Sequence, residues 1–495
     1  MQKKILSWLF LAVGFVLTSY VLFWIGGSPQ FFDPDRLYHL AILREAMHQG
    51  QWVLRSISQL PELGWNEYFS DKEFLFHFIL RIPAELGGNF AVFSTVAVMG
   101  SLFLWTPYIL SKKQKFFAFG LALSLLGLNQ LILIRVGFLR PHVLAMLLFT
   151  VLLWGMLRHW KWLLFIFALL FSLSYHAIYI PLLLSFFLFC VYYSVNWIRL
   201  RNSKIELERV LFVQAYAIVA GTIVGAIVNP YFPSNLIRML QHLALAIRGD
   251  SLAAKMHFEL GAELVPFSTP EFINQCGVFS VALFLGLFAL VWKLAKQRYI
   301  SSFTIVFALL STALWIACFY SPRAAEFALP VVVVFLFQLF QKVTQKKQLI
   351  LIGVLSILHI IPLASILQKA KYPSVAPTEL AIADVLKSVP ENSSISIYHC
   401  NWGLGSYLFY LRPQAKIIDL LDPSFLLLFS PEKYFLRTTL NMGRISDPVK
   451  TIKEVFKSDY VLCGNLPLSQ QLMKSKNNQY LGSDKSKTHH LFRLL

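Results

Sequence analysis

Two carboxylates, Asp33 and Asp35, stand two residues apart in Phe31-Phe32-Asp33-Pro34-Asp35-Arg36-Leu37-Tyr38-His39-Leu40, directly after a long apolar run. A carboxylate there can take a proton from an acceptor group, and a pair can offer oxygen ligands to Mg²⁺ or Mn²⁺. Asp-Pro-Asp is also what a helix start requires, because a side-chain oxygen satisfies free amide groups and negative charge suits the positive dipole end. Arginines between apolar runs offer a second chemistry. Arg323 in Ser321-Pro322-Arg323-Ala324-Ala325-Glu326, and Arg135 and Arg140 with His142 in Arg135-Val136-Gly137-Phe138-Leu139-Arg140-Pro141-His142, present donors suited to phosphate oxygens. Plainer accounts are local pairing of Arg323 with Glu326 and interfacial anchoring of the second group. His176, in Ser174-Tyr175-His176, reads as a substrate contact or a satisfied interfacial histidine. Asp71, beside Lys72 and Glu73, reads as lining a sugar pocket or as opening a solvated helix.

The elements that position these groups are membrane helices. Of 495 residues, 57% are hydrophobic and 14% charged, with mean hydropathy +0.61, which is the composition of a polytopic membrane protein. The run 5–25 can cross a hydrocarbon core of about 30 Å, and Lys3 and Lys4 before it place the N-terminus in the cytoplasm. No small-residue cleavage site follows, so the run is expected to stay as a helix. The net charge of +19 falls in short clusters (112–115, 158–161, 199–209, 293–298 and 342–347) rather than along one polar stripe. That pattern marks cytoplasmic loops and argues against a nucleic-acid partner. The alternation predicts about eleven spans, near 5–25, 90–110, 116–134, 141–157, 162–175, 178–198, 210–228, 273–292, 299–319, 326–341 and 348–367.

Acids gather on the opposite face, in a first outer loop 27–89 and a second large outer loop 229–272. Long loops between membrane helices usually carry function. Leu37, Leu40, Ala41, Arg44 and Met47, then Phe74, Phe78 and Ile82, recur at helical spacing, predicting helices along the membrane interface. Beyond 367 the long apolar runs stop. Short β-rich segments at 394–398, 416–419 and 459–462 alternate with helical patterns at 379–387, 405–411 and 448–457, predicting an extracytoplasmic α/β domain over 368–495 with parallel strands. Cys400 and Cys463 each follow a predicted strand, and an oxidising compartment would permit them to pair. The sequence favours two separate small core residues instead. The five cysteines show no metal-binding spacing.

The motif from Asp33 to Leu40 is similar to the first-loop motif of the archaeal and bacterial oligosaccharyltransferase catalytic subunit, within the C-type membrane glycosyltransferase superfamily. Asn401-Trp402-Gly403-Leu404-Gly405-Ser406-Tyr407-Leu408, followed by Ile418-Asp419, is similar in position to that family's Trp-Trp-Asp-Tyr-Gly motif. The resemblance implies a helical membrane domain over 1–367, a polyprenyl-phosphate-linked sugar donor and an extracytoplasmic acceptor that is glycan, lipid or protein. Asp33 would be the base, with Asp35 orienting it or sharing a divalent cation. Glu263 would stand for the family's loop glutamate, although Glu259 competes. Arg323, Arg135, Arg140, His142, His176 and Asp71 would contact the donor, and Trp402 would pack on acceptor sugar or lipid. Gly403 replaces the family's acceptor-contacting aspartate, only one of two tryptophans is present, and 135–142 lacks an acid. A lipid or polysaccharide transporter and a polysaccharide polymerase or ligase are the competing readings. A bacterial inner membrane is the expected location.

Overall fold

Where apolar runs must satisfy their own backbone groups away from water, they coil into helices. The computed structural model describes residues 2–27, 33–199, 206–241, 243–244, 266–296, 300–360, 378–390, 395–421 and 423–495. Glu259 and Glu263 lie outside them. In chain order the first helices are α1 (Gln2–Gly27), α2 (Asp35–His48), α3 (Phe74–Leu110), α4 (Lys115–Ala122), α5 (Gln130–Gly137), α6 (His142–Leu157), α7 (Lys161–Ser174), α8 (Tyr179–Arg199), α9 (Glu206–Val228), α10 (Thr269–Ala295), α11 (Ser302–Ala317), α12 (Ala324–Phe340) and α13 (Gln345–Leu358). All but α2 belong to the first of two units, formed by the described residues of Met1–Phe31, Lys72–Leu236 and Ala262–Tyr372.

Four of these helices, Ile5–Gly27, Phe74–Leu110, Arg209–Val228 and Thr269–Ala295, are long and apolar enough to cross a membrane. Five further apolar helices are shorter. The eleven expected spans do not map one to one onto them. The span expected at 90–110 is the second part of a 37-residue helix, which kinks at Gly87 and Gly88; Gly88 takes a φ of +57° that glycine adopts without steric cost. The span expected at 116–134 is broken, with Lys115–Gly127 and Gln130–Gly137 meeting at 87°. Asn129 makes the break tolerable: its side-chain oxygen accepts from the Ile132 N–H (3.2 Å), and its amide donates to the Gln275 carbonyl (2.9 Å). Packing elsewhere depends on small residues. A Cβ at Gly221 or Gly225 of α9 would collide with the Phe165 or Leu169 carbonyl of α7.

The second unit gathers the described residues of Phe32–Asp71, Ile237–Gly261 and Pro373–Leu495. It continues with α14 (Thr378–Leu386), β1 (Ser396–His399), α15 (Trp402–Leu411), β2 (Lys416–Ile417), α16 (Pro423–Phe429), α17 (Pro431–Asn441), α18 (Pro448–Val455), β3 (Tyr460–Gly464), α19 (Pro467–Lys474), β4 (Asn478–Ser483) and β5 (His489–Leu494). The sheet order is β2-β1-β3-β5-β4. β1 runs parallel to β2 and β3, as the alternation of strands and helices predicts for these three, whereas two further strands depart from that pattern, β5 being antiparallel to both β3 and β4. The cause is the short connection 484–488, which can only return the chain antiparallel. Asp484 closes it by accepting from the N–H groups of Thr488 (2.7 Å) and His489 (2.8 Å).

The two cysteines are also reassigned. Register pairs Tyr398 with Val461 and His399 with Leu462, which brings the next residues opposite each other. Cys400 and Cys463, 5.0 Å apart at Cα, form a disulfide. Helix α2 does not lie along a lipid interface. Leu37, Tyr38, Ala41 and Ile42 are buried in one core with Ile397, Leu404, Leu408 and Val461, and Arg44 donates to the Phe409 (2.7 Å) and Tyr410 (2.6 Å) carbonyls that α15 leaves open. Gln59 covers the sheet edge: its carbonyl accepts from the Ile417 N–H (2.9 Å), and its amide donates to the Pro413 carbonyl (2.6 Å).

Candidate functional site

In the first unit, polar side chains from four separate chain segments meet. Arg135, in the last turn of α5, is buried and pairs with Glu326 (3.5 Å), which sits in the first turn of α12, where a carboxylate suits the helix dipole. His142, the first residue of α6, donates from Nε2 to the Arg135 carbonyl (2.9 Å). His176 lies between α7 and α8, with Nδ1 3.5 Å from the Glu73 carboxylate at the start of α3. Burial lowers the His176 pKa to about 4, with Lys72 and Arg323 adding to the effect and Glu73 opposing it. The imidazole is therefore neutral at neutral pH. Lys72, Arg323 and Arg135 place cations beside the carboxylates Glu73 and Glu326 in this set. Arg140 is half-buried, with its guanidinium over the Phe138 ring (5.9 Å).

The structure thus brings Arg323, Arg135, His142 and His176 into one neighbourhood. Glu73, read with Asp71 and Lys72 as a candidate sugar-pocket residue, is joined there by His77 and Glu326, for which the sequence alone suggests no functional role. Glu73 and His77, one helical turn apart on α3, are both buried and place ligand atoms within 4.8 Å of each other. Their i, i+4 spacing was the available signal. The expectation of a solvated helix start at Asp71-Lys72-Glu73 is corrected, since Asp71 and Glu73 are only 4% and 6% exposed. The buried side chains face neighbouring protein instead of water.

The carboxylates of the opening motif lie in the second unit. Asp33 is 3% exposed, and its carboxylate accepts from the Asp35 N–H at 3.4 Å. Pro34 already has helical dihedrals (φ -58°, ψ -31°), so the Asp33 carboxylate accepting from the Asp35 N–H makes the contact of a helix cap, as the plainer account of Asp-Pro-Asp expects. Asp35 is half-buried in the first turn. Both offer the hard oxygen donors that Mg²⁺ or Mn²⁺ prefers, but among the described residues neither belongs to a group of three ligand side chains placed to share an ion. Two carboxylates do not complete such a site. Trp402 is the half-buried first residue of α15, whose start is capped by Asn401 accepting from the Gly403 N–H (2.8 Å). A Cβ at Gly403 would come within 3.2 Å of that capping oxygen. Tyr407 is buried in the core.

No protein-family profile matches the chain, and no curated protein sequence is similar to it. Solved structures are. The crystal structure of the apo oligosaccharyltransferase from Archaeoglobus fulgidus matches with TM-score 0.59 at 12% identity, over 92% of this chain and 69% of that one. The same organism's AglB with an inhibitory peptide and dolichol-phosphate gives TM-score 0.58 at 12% identity, with the same coverage of both chains. ArnT from Cupriavidus metallidurans bound to undecaprenyl phosphate matches with TM-score 0.55 at 14% identity, over 97% of each chain. Since these likenesses run across nearly the full length of the protein, its fold is that of the C-type membrane glycosyltransferases.

Proposed function

We propose that this integral membrane protein transfers a sugar or oligosaccharide from a polyprenyl-phosphate-linked donor to a glycan, lipid or protein acceptor outside the cytoplasm. In this reading the N-terminus is cytoplasmic, residues 368–495 face outward, and the membrane is a bacterial inner membrane. The observation that carries it is the gathering of Arg323, Arg135 and Lys72 near a neutral His176, on a fold whose solved neighbours hold dolichol-phosphate and undecaprenyl phosphate.

Transfer forms a bond from an acceptor oxygen or nitrogen to the anomeric carbon and breaks the bond from that carbon to the phosphate oxygen. Asp33 takes the acceptor proton. Arg323, whose planar fork matches phosphate geometry, stabilises charge on the departing lipid phosphate, with Arg135 as a second cation. Asp35 orients the base, and Glu263 stays a proposed participant in the second outer loop. The test is reconstituted protein with a radiolabelled undecaprenyl-phosphate sugar and extracted envelope acceptors. Asp33→Asn keeps shape but removes the base, so turnover should fall by about 10² to 10⁴ with donor binding retained. Arg323→Lys should weaken both binding and turnover. Near-normal turnover by Asp33→Asn would defeat the catalytic assignment, and titration with a chelator decides whether Asp33 and Asp35 act with a divalent cation.

A further inference from the structure

The turn after β1 is held by more contacts than a strand-to-helix connection requires. The Cys400 carbonyl accepts from the Asn441 amide (2.6 Å), and Cys400 itself is bonded to Cys463. His399, fully buried, bonds through Nδ1 to the Asn401 carbonyl at 2.9 Å. A carbonyl can only accept, so Nδ1 carries the proton and Nε2 is bare. Nε2 accepts from the Asp419 N–H (3.4 Å). Asp419 is fixed in turn, because its carboxylate is paired with Arg437 of α17 inside the core. Its carbonyl lies against Gly405, where any Cβ would collide. Backbone and side chain of Asp419 therefore brace the residues on both sides of Trp402.

We propose that His399, backed by Asp419 and Arg437, is a positioning residue that fixes the pose of Trp402 by holding the Asn401 carbonyl. The proposal rests on the reading of Trp402 as the side chain that packs on an acceptor sugar or lipid, and it deepens that reading. The buried imidazole touches no substrate and acts only through the turn. Its N–H aligns Asn401, the Asn401 side chain caps α15 at Gly403, and the backbone of Trp402 between them is held from both sides. Gly403 belongs to the same device. A side chain there crowds the capping oxygen, so this turn presents an aromatic face instead of a carboxylate, which suits an acceptor recognised through apolar sugar or lipid surface.

The test uses full-length protein in phospholipid nanodiscs. His399→Phe keeps a flat buried ring but removes the donor. Amide exchange in a peptide covering 400–411 should rise roughly tenfold, the equilibrium effect of about one hydrogen bond, with the peptide of β3 unchanged. With labelled undecaprenyl-phosphate sugar and envelope extract, the acceptor KM should rise by a similar factor with kcat retained. His399→Asn, whose amide can still reach the Asn401 carbonyl, should restore both. Should His399→Phe fail to fold, Asn401→Ala at an exposed position is expected to give the same two changes. Unchanged exchange at 400–411, or loss of kcat with KM fixed, would overturn the proposal. If the wild-type protein transfers nothing, the transferase reading fails on its own, while the exchange measurement still decides whether His399 holds the turn.

Discussion

The two units bury the same three side-chain types, histidine, carboxylate and arginine, and set them to different tasks. In the first unit the His176–Glu73 pair has side chains 17% and 7% exposed, and the Arg135–Glu326 pair 11% and 1%. In the second, His399 and Asp419 are at 0% and Arg437 at 4%. A little exposure remains at His176 and Arg135 in the first set, and almost none in the second. Their surroundings differ as well. His399 bonds to the backbone of Asn401 and Asp419, which is how a scaffold uses polar groups. Around His176 the neighbours are charged side chains, with Lys72 and Arg323 opposing its protonation and Glu73 favouring it.

The largest expected effect tests the scaffold side of this contrast. Asp419→Asn leaves Arg437 charged and buried without its counter-ion, and should cost about 3–5 kcal/mol of stability, read as an earlier unfolding transition in detergent with donor affinity unchanged. Donor affinity lost at unchanged stability would reverse the assignment of the two units. A smaller effect sharpens the first unit. His176 has its folded pKa depressed to about 4, against about 6.5 unfolded. The unfolded chain binds the proton first, so stability is fully present above pH 6.5 and declines on acidification toward 4. The loss should reach about 2 kcal/mol between pH 7.5 and 5, and His176→Gln should remove that part of the pH dependence. The smallest change concerns the broken span that carries Arg135. Asn129→Ala removes the cap and should destabilise by about 1 kcal/mol, measured by thermal melting.

Much of the second unit's secondary structure is legible in the chain, because local pattern and tertiary context agree there. The helix read over 448–457 is α18 at Pro448–Val455, and the strand read over 394–398 is β1. Strand β4 was not legible, since Asn478-Gln479-Tyr480-Leu481-Gly482-Ser483 has neither alternation nor β-branched residues and is a strand only because β5 pairs with it. Helices α16, α17 and α19 were not read either, although each begins at a proline, which suits a first helical turn. At the candidate site, Arg323, Arg135, His142 and His176 were visible as isolated polar groups at the ends of apolar runs. Their grouping was not, because Glu326 meets an arginine from a distant helix and no local rule encodes that choice. The plain reading of Asp-Pro-Asp as a helix start was legible from local pattern, and the Asp33 carboxylate accepts from the Asp35 N–H.

The placement of α2 within the second unit has a consequence for biosynthesis. Arg44 and the Tyr410 carbonyl it satisfies are 366 residues apart in the chain. At about 5–20 residues per second, ribosomes need roughly 20 to 70 s to make the partner after the helix itself. Throughout that interval Leu37, Tyr38, Ala41 and Ile42, later sealed in the core, have no native neighbours from 395–495. Until then only Leu54, Ile57, Leu60, Leu63, Trp65 and Phe69 of that core are there to cover the helix, so yield in cells should depend on chaperone supply and translation speed as well as on the stability of the finished fold.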